Sequence, residues 1–209
     1  MPSTFPHNAR IRCALLAAFT LAVAACDTSG ERPGPAGTLA AAQESFWSAL
    51  IALCGNAFGG RVVESTPPDT VMGRATLVMH VRECQGDTVR IPFHVGTNRS
   101  RTWVITRTSA GLRLKHDHRH EDGSEDSVTQ YGGDTRAASD SIQQEFFADS
   151  LTASLIPAAR SNVWTIELDR NQRFVYALRR EGTDRRFRAE FDLSRPVPVP
   201  PAPWGSVPR

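Results

Sequence analysis

The stretch Gly111-Leu112-Arg113-Leu114-Lys115-His116-Asp117-His118-Arg119-His120-Glu121-Asp122-Gly123-Ser124-Glu125-Asp126 decides how the chain is read. Leu112 and Leu114 run on into His116, His118 and His120 at a strict spacing of two, and these are three of the chain's six histidines. In a β-strand successive side chains point to opposite faces, so the leucines and histidines share one face while Arg113, Lys115, Asp117 and Arg119 share the other. The acidic, glycine-containing run that follows reads as a loop.

The same period extends on both sides. Candidate strands fall at 61–65, 75–84, 88–95, 101–108, 112–120, 127–131, 141–147, 162–168, 173–180 and 185–193. They are joined by short connections such as Gln85-Gly86-Asp87, Ser109-Ala110-Gly111 and Glu181-Gly182-Thr183-Asp184, which imply antiparallel hairpins in a meander. Phe174, Tyr176 and Leu178 alternate with polar residues, as do Phe187, Ala189, Phe191 and Leu193, so one face is core and one is wet. About ten such strands have too many edges to stay open. The expected fold is mainly β: an antiparallel up-and-down, lipocalin-like barrel with an N-terminal helix against or across one end and one short inserted helix. Pro92 implies a bulge or an edge in its strand.

The register of the central hairpin has two solutions. A two-residue turn at Ser109-Ala110 sets Trp103 opposite His116; a three-residue turn with Gly111 left-handed sets Val104 there. Thr108-Ser109-Ala110-Gly111-Leu112 favours the second, which would face the histidines with a Thr/Val strip and send Trp103 to the other face.

Before the strands, Thr38 is placed to cap a helix reaching Leu53, with Gly55 just past its end. Leu39, Ala42, Phe46, Trp47, Leu50 and Leu53 form its apolar stripe. A second helical segment, residues 149–156, is capped by Asp149 and stopped by Pro157. The domain organisation expected is a leader over 1–25, a Gly- and Pro-containing tether over 26–37, the barrel over 38–194 and a proline-rich tail over 195–209.

The leader has Arg10 and Arg12 ahead of an apolar run too short to span a bilayer, which is an export signal. Its end, Val23-Ala24-Ala25-Cys26, resembles the lipobox of bacterial lipoproteins, which implies cleavage before Cys26 and lipidation of that cysteine. The expected location is the bacterial cell envelope, anchored by lipid on the periplasmic or extracytoplasmic side. Cys54 and Cys84 are then the remaining pair and, in an oxidising compartment, read as a disulfide. The formal charge of +2 comes from the leader: without Arg10 and Arg12 the 24 Lys+Arg fall to 22, against 22 Asp+Glu. A neutral mature chain gives no electrostatic footprint for nucleic acid.

Two function classes follow. One is a non-catalytic barrel module, structural or holding a small apolar ligand or an envelope protein, with Trp103 and Tyr131 as the expected ligand contacts. No GxSxG, HExxH, P-loop or dinucleotide fingerprint occurs in the chain. The other is a metal-binding protein or metal-dependent hydrolase. Histidines two apart on a strand emerge about 6 to 7 Å from each other and imidazole suits zinc. His116 and His118, with His120 brought in by a bulge and Asp122 by a folded-back loop, form that candidate site; His80 and His94 are either a distant further ligand or exposed.

The runs Phe93-His94-Val95-Gly96, Arg99-Ser100-Arg101-Thr102-Trp103, Gly111 to Gly123, and Arg186-Phe187-Arg188-Ala189-Glu190-Phe191-Asp192-Leu193 resemble a family of bacterial secreted or lipid-anchored proteins, over about Phe46 to Pro196. The resemblance implies an envelope location and no activity.

Overall fold

Leu112, Leu114 and His116 are buried while Arg113 is exposed and Lys115 half-buried, as the period of two requires. The computed structural model describes residues 39–136, 140–170 and 172–206; the leader, Cys26, the tether and Thr38 lie outside them. The elements are α1 (Ala41–Ile51), β1 (Ala57–Thr66), β2 (Leu77–His80), β3 (Glu83–Gln85), β4 (Thr88–Val95), β5 (Asn98–Thr108), β6 (Gly111–His118), β7 (Tyr131–Thr135), β8 (Gln143–Ala148), α2 (Ser150–Leu155), β9 (Asn162–Asp169), β10 (Arg173–Arg180) and β11 (Arg186–Val197). Single 3-10 turns lie at Met72–Arg74 and Pro157–Ala159.

Every strand pairing is antiparallel, in the order β2-β1-β11-β10-β9-β8-β7-β6-β5-β4-β3, and a further pairing of β2 with β4 closes the sheet. The result is a ten-strand barrel with β3 as one extra strand on β4. Closure satisfies the backbone N–H and C=O groups that an open sheet would leave along its edges. Inside, Phe58, Leu77, Met79, Ile91, Ile105, Phe146, Ile166, Phe174 and Phe191 form a continuous apolar core.

The helix α1 seals one end. Its Gln43 amide donates to Thr135 Oγ1 at 2.9 Å, its Glu44 carboxylate accepts from Arg107 at 2.8 Å, and Phe46, Trp47 and Leu50 are buried in the core. The Arg107 guanidinium also lies 5.6 Å from the Trp47 ring centroid. A disulfide joins Cys54, just past α1, to Cys84 in β3, with Cα atoms 6.3 Å apart. At the other end, α2 packs beside β7: Asp149 caps it by accepting from Thr152 N at 2.8 Å and also binds Lys115.

The structure corrects four local expectations. The β5–β6 hairpin turns on Ser109-Ala110 with Thr108 opposite Gly111, so Trp103, not Val104, lies opposite His116 and points inward. Gly111 does hold a positive φ of 135°, and a close approach requires glycine there as well: a Cβ would sit 2.5 Å from Thr135 Oγ1 and 3.0 Å from Gln43 Nε2. The strand expected at 127–131 is a loop, and β7 begins at Tyr131 and passes through Gly132-Gly133. Either glycine given a Cβ would overlap a neighbouring carbonyl, Leu114 O or Phe147 O.

The strand expected at 75–84 divides into β2 and β3, which pair with the two halves of β4 on either side of Pro92. Pro92 has no N–H to donate, so the division falls where β4 needs no partner. Finally, β6 stops at His118. Beyond it Arg119 bridges to Glu125, and Gly123 N donates to His120 O at 3.0 Å as the chain turns.

The proline-rich tail is a strap. After β11 it crosses to the outer wall, where Arg99 Nη1 donates to Ala202 O at 2.9 Å and Trp204 N to Arg99 O at 3.2 Å.

Candidate functional site

Five strands keep their inward parity up to the barrel end opposite α1, and there each inward face changes from apolar to polar. Ile105 and Trp103 lead to Arg101 on β5, Leu114 and His116 to His118 on β6, and Ile166 and Trp164 to Asn162 on β9. Tyr176 and Leu178 lead to Arg180 on β10, and Phe187 is preceded at the same parity by Arg185. Below this rim lies a cavity of about 250 Å³, walled by Trp103, His116, Tyr131, Trp164, Tyr176 and Phe187. The 3-10 turn at Met72–Arg74 and the segment after α2 stand beside the opening, through Met72, Ile156 and Ala159.

The cavity wall is rigidly stacked. Trp103 lies between Phe93 at 4.7 Å and Tyr176 at 4.4 Å, with ring planes within 20° of parallel in both cases. Tyr131 stacks on His116 at 4.4 Å and 9°. His116 Nδ1 lies 3.1 Å from Tyr131 O, which can only accept, so Nδ1 carries the proton. Nε2 is therefore the acceptor for the Tyr176 hydroxyl at 2.8 Å. The two bonds fix one neutral tautomer.

Electrostatics agree with that assignment. Burial holds the His116 imidazolium pKa down to about 3, against the opposing pull of the Tyr131 carbonyl. Burial also raises the Tyr176 phenol well above its ordinary range and pushes Tyr131 up to about 12. His118 is lowered by burial and by the Arg101 charge, and its Nε2 lies 3.2 Å from the Tyr131 hydroxyl. At neutral pH the wall carries dipoles and aromatic faces, and charge is confined to the rim.

The residues singled out from sequence are only partly brought together. His116, His118, Trp103 and Tyr131 all line the cavity. His120 is exposed in the turn after β6. The Asp122 carboxylate accepts from Ser124 N at 2.9 Å and Ser124 Oγ at 2.6 Å, and these bonds lower its pKa at an exposed site. Both ring nitrogens of His116 are already engaged by protein. Among the described residues no group of three or more His, Cys, Asp or Glu side chains is disposed to hold a metal ion. His80 and His94 are buried, not exposed, and burial with the nearby Arg99 and His80 charges lowers His94 to about 4.

Tyr176, Trp164, Asn162 and the three rim arginines were not anticipated as site residues. A signal for them exists: in Arg101-x-Trp103-x-Ile105, Tyr176-x-Leu178-x-Arg180 and Arg185-x-Phe187-x-Ala189, an arginine continues the apolar parity where the strand leaves the core. Compared with protein-family models, with curated proteins and with solved structures, the chain matches none, and its site is defined by its own geometry.

Proposed function

We propose that the chain is a cell-envelope β-barrel that binds a small molecule without chemically altering it, in the cavity at the end opposite α1. The observation that carries this reading is the cavity itself: about 250 Å³ of space under a polar rim, walled by stacked aromatic rings whose hydrogen-bonding groups are neutral. Sites of this kind are concave, largely apolar and fitted with a few fixed polar groups. The volume lies just under the usual range of roughly 300 to 1,000 Å³ for drug-sized ligands, which favours a compact molecule.

The envelope location is supported by the leader pattern and by the Cys54–Cys84 disulfide, a bond that persists in oxidising compartments. In this reading Cys26 is lipidated and holds the barrel to a membrane through the tether. Among the described residues no helix is long and apolar enough to cross a membrane. Replacement of Cys26 by Ala is expected to move the protein from the membrane to the soluble fraction and to remove an acyl mass from its N-terminal peptide; an unchanged distribution would refute the anchor.

The binding reading is tested by native mass spectrometry of the protein purified from its own envelope, together with its intrinsic fluorescence. A co-purifying small molecule is expected, and its removal changes the emission of Trp103 and Trp164, which wall the cavity. No bound mass, with no small molecule in a broad library altering that emission, would refute it.

A further inference from the structure

We propose that Arg101, Arg180 and Arg185 form an oxyanion-recognition site, and that the ligand is a compact aromatic carboxylate with its ring in the cavity and its carboxylate at the rim. This rests on the small-molecule reading above and names the ligand's chemical class.

Three observations carry it. The first is placement: the three arginines come from β5, β10 and the approach to β11, and all line one opening. The second is how two of them, Arg101 and Arg180, are held. Arg180 Nε donates to Asn162 Oδ1 at 2.9 Å, and Arg101 Nη1 donates to Asn98 Oδ1 at 3.1 Å and to Ser100 Oγ at 3.3 Å. These partners orient the guanidinium groups without neutralising them.

On the outer wall, by contrast, Arg113, Arg119, Arg179 and Arg188 each hold a carboxylate, at 2.6, 2.8, 3.1 and 2.7 Å. Among the described residues none of the three rim arginines makes an ion pair. Like charges converging on a partly enclosed site repel, and a bound anion relieves that repulsion.

The third is the scarcity of a competing anion within the protein. Asp69 is the one carboxylate lining the cavity among the described residues, and its Oδ1 already accepts from Val71 N at 3.0 Å and Met72 N at 2.9 Å. A guanidinium offers a planar fork that matches a carboxylate bidentately, and partial enclosure strengthens such a charge-assisted pair. The aromatic wall and the small volume select a ligand of one or two rings over a long acyl chain.

The test uses 2-naphthoate and its neutral isostere 2-naphthamide, titrated into the purified protein by calorimetry and followed by tryptophan fluorescence. The unaltered protein is expected to bind the carboxylate at least tenfold more tightly than the amide. In the triple variant Arg101→Gln, Arg180→Gln, Arg185→Gln this preference collapses to within twofold, with amide affinity unchanged. Arg61→Gln, on the exposed part of β1, retains the full preference.

Arg185→Gln alone breaks no hydrogen bond of its own side chain among the described residues, so it keeps the fold intact if the triple variant is unstable; a loss of threefold or more is expected from it. Equal binding of both compounds by the unaltered protein would overturn the arginine assignment and leave cavity binding standing. A preference that survives the arginine replacements would also overturn it. Binding of neither compound would overturn the aromatic-carboxylate assignment, while the cavity reading would still be decided by the co-purified mass and the library screen.

Discussion

The Tyr176 hydroxyl donates to His116 Nε2 at 2.8 Å inside the barrel, pairing two buried polar groups from strands far apart in the chain. An unpaired buried polar group costs about 1 to 3 kcal/mol, whereas removing both partners of a pair is far milder. Tyr176→Phe and His116→Leu are each expected to destabilise by that amount in denaturant unfolding. The double variant is expected to lose at least 1 kcal/mol less than the sum of the two, a coupling that a double-mutant cycle reads directly.

Acid sensitivity follows from the same histidine. With its folded pKa held to about 3 by burial, His116 stays neutral while an unfolded chain takes up a proton near 6.5. Between those values the unfolded state binds more protons, so stability is complete above pH 6.5 and falls as pH drops towards 3. The contribution of one such group is at most about 1.4 kcal/mol per pH unit. His94, lowered to about 4, acts in the same direction. Unfolding free energy measured from pH 7 to pH 4 should show this decline, and His116→Leu should make it shallower.

The disulfide closes a loop across a sequence separation of 30, from the end of α1 to β3. In the chain-entropy account a loop of that length restricts the unfolded state by roughly 3 to 4 kcal/mol. Cys54→Ser with Cys84→Ser is expected to lower stability by that order, and reductant should then have no further effect on the melting temperature.

Gly133 sits where β7 runs between β6 and β8, and a Cβ there would overlap the Phe147 carbonyl oxygen. Overpacking of this kind costs about 1 to 3 kcal/mol or more. Gly133→Ala is expected to destabilise by at least that much and to broaden the amide resonances of β7 and β8.

The central strand was legible because the period of two is carried by strong residues: Leu112, Leu114 and His116 do turn inward together. What the sequence concealed lies where one residue type serves two purposes. Gly111 reads as a turn residue of positive φ, which it is, but a second constraint on it is the proximity of Thr135 and Gln43, which come from distant parts of the chain. Gly132-Gly133 reads as a strand breaker, but a wall squeezed between two neighbours needs residues without side chains. The histidine strip ends one member short of its sequence spacing, since Arg119 pairs with Glu125 and the turn sends His120 to solvent. The barrel rim required knowing which end α1 closes, and that is fixed by contacts such as Gln43 to Thr135, 92 residues apart.

With α1 as a stopper, the barrel is a cup and not a pipe. Any guest must leave by the door through which it came, past Met72 and Ile156, so arrival and departure share one barrier. Substitutions in those two flanking segments that spare the cavity-lining side chains should slow or speed both directions by the same factor, changing residence time while leaving affinity untouched.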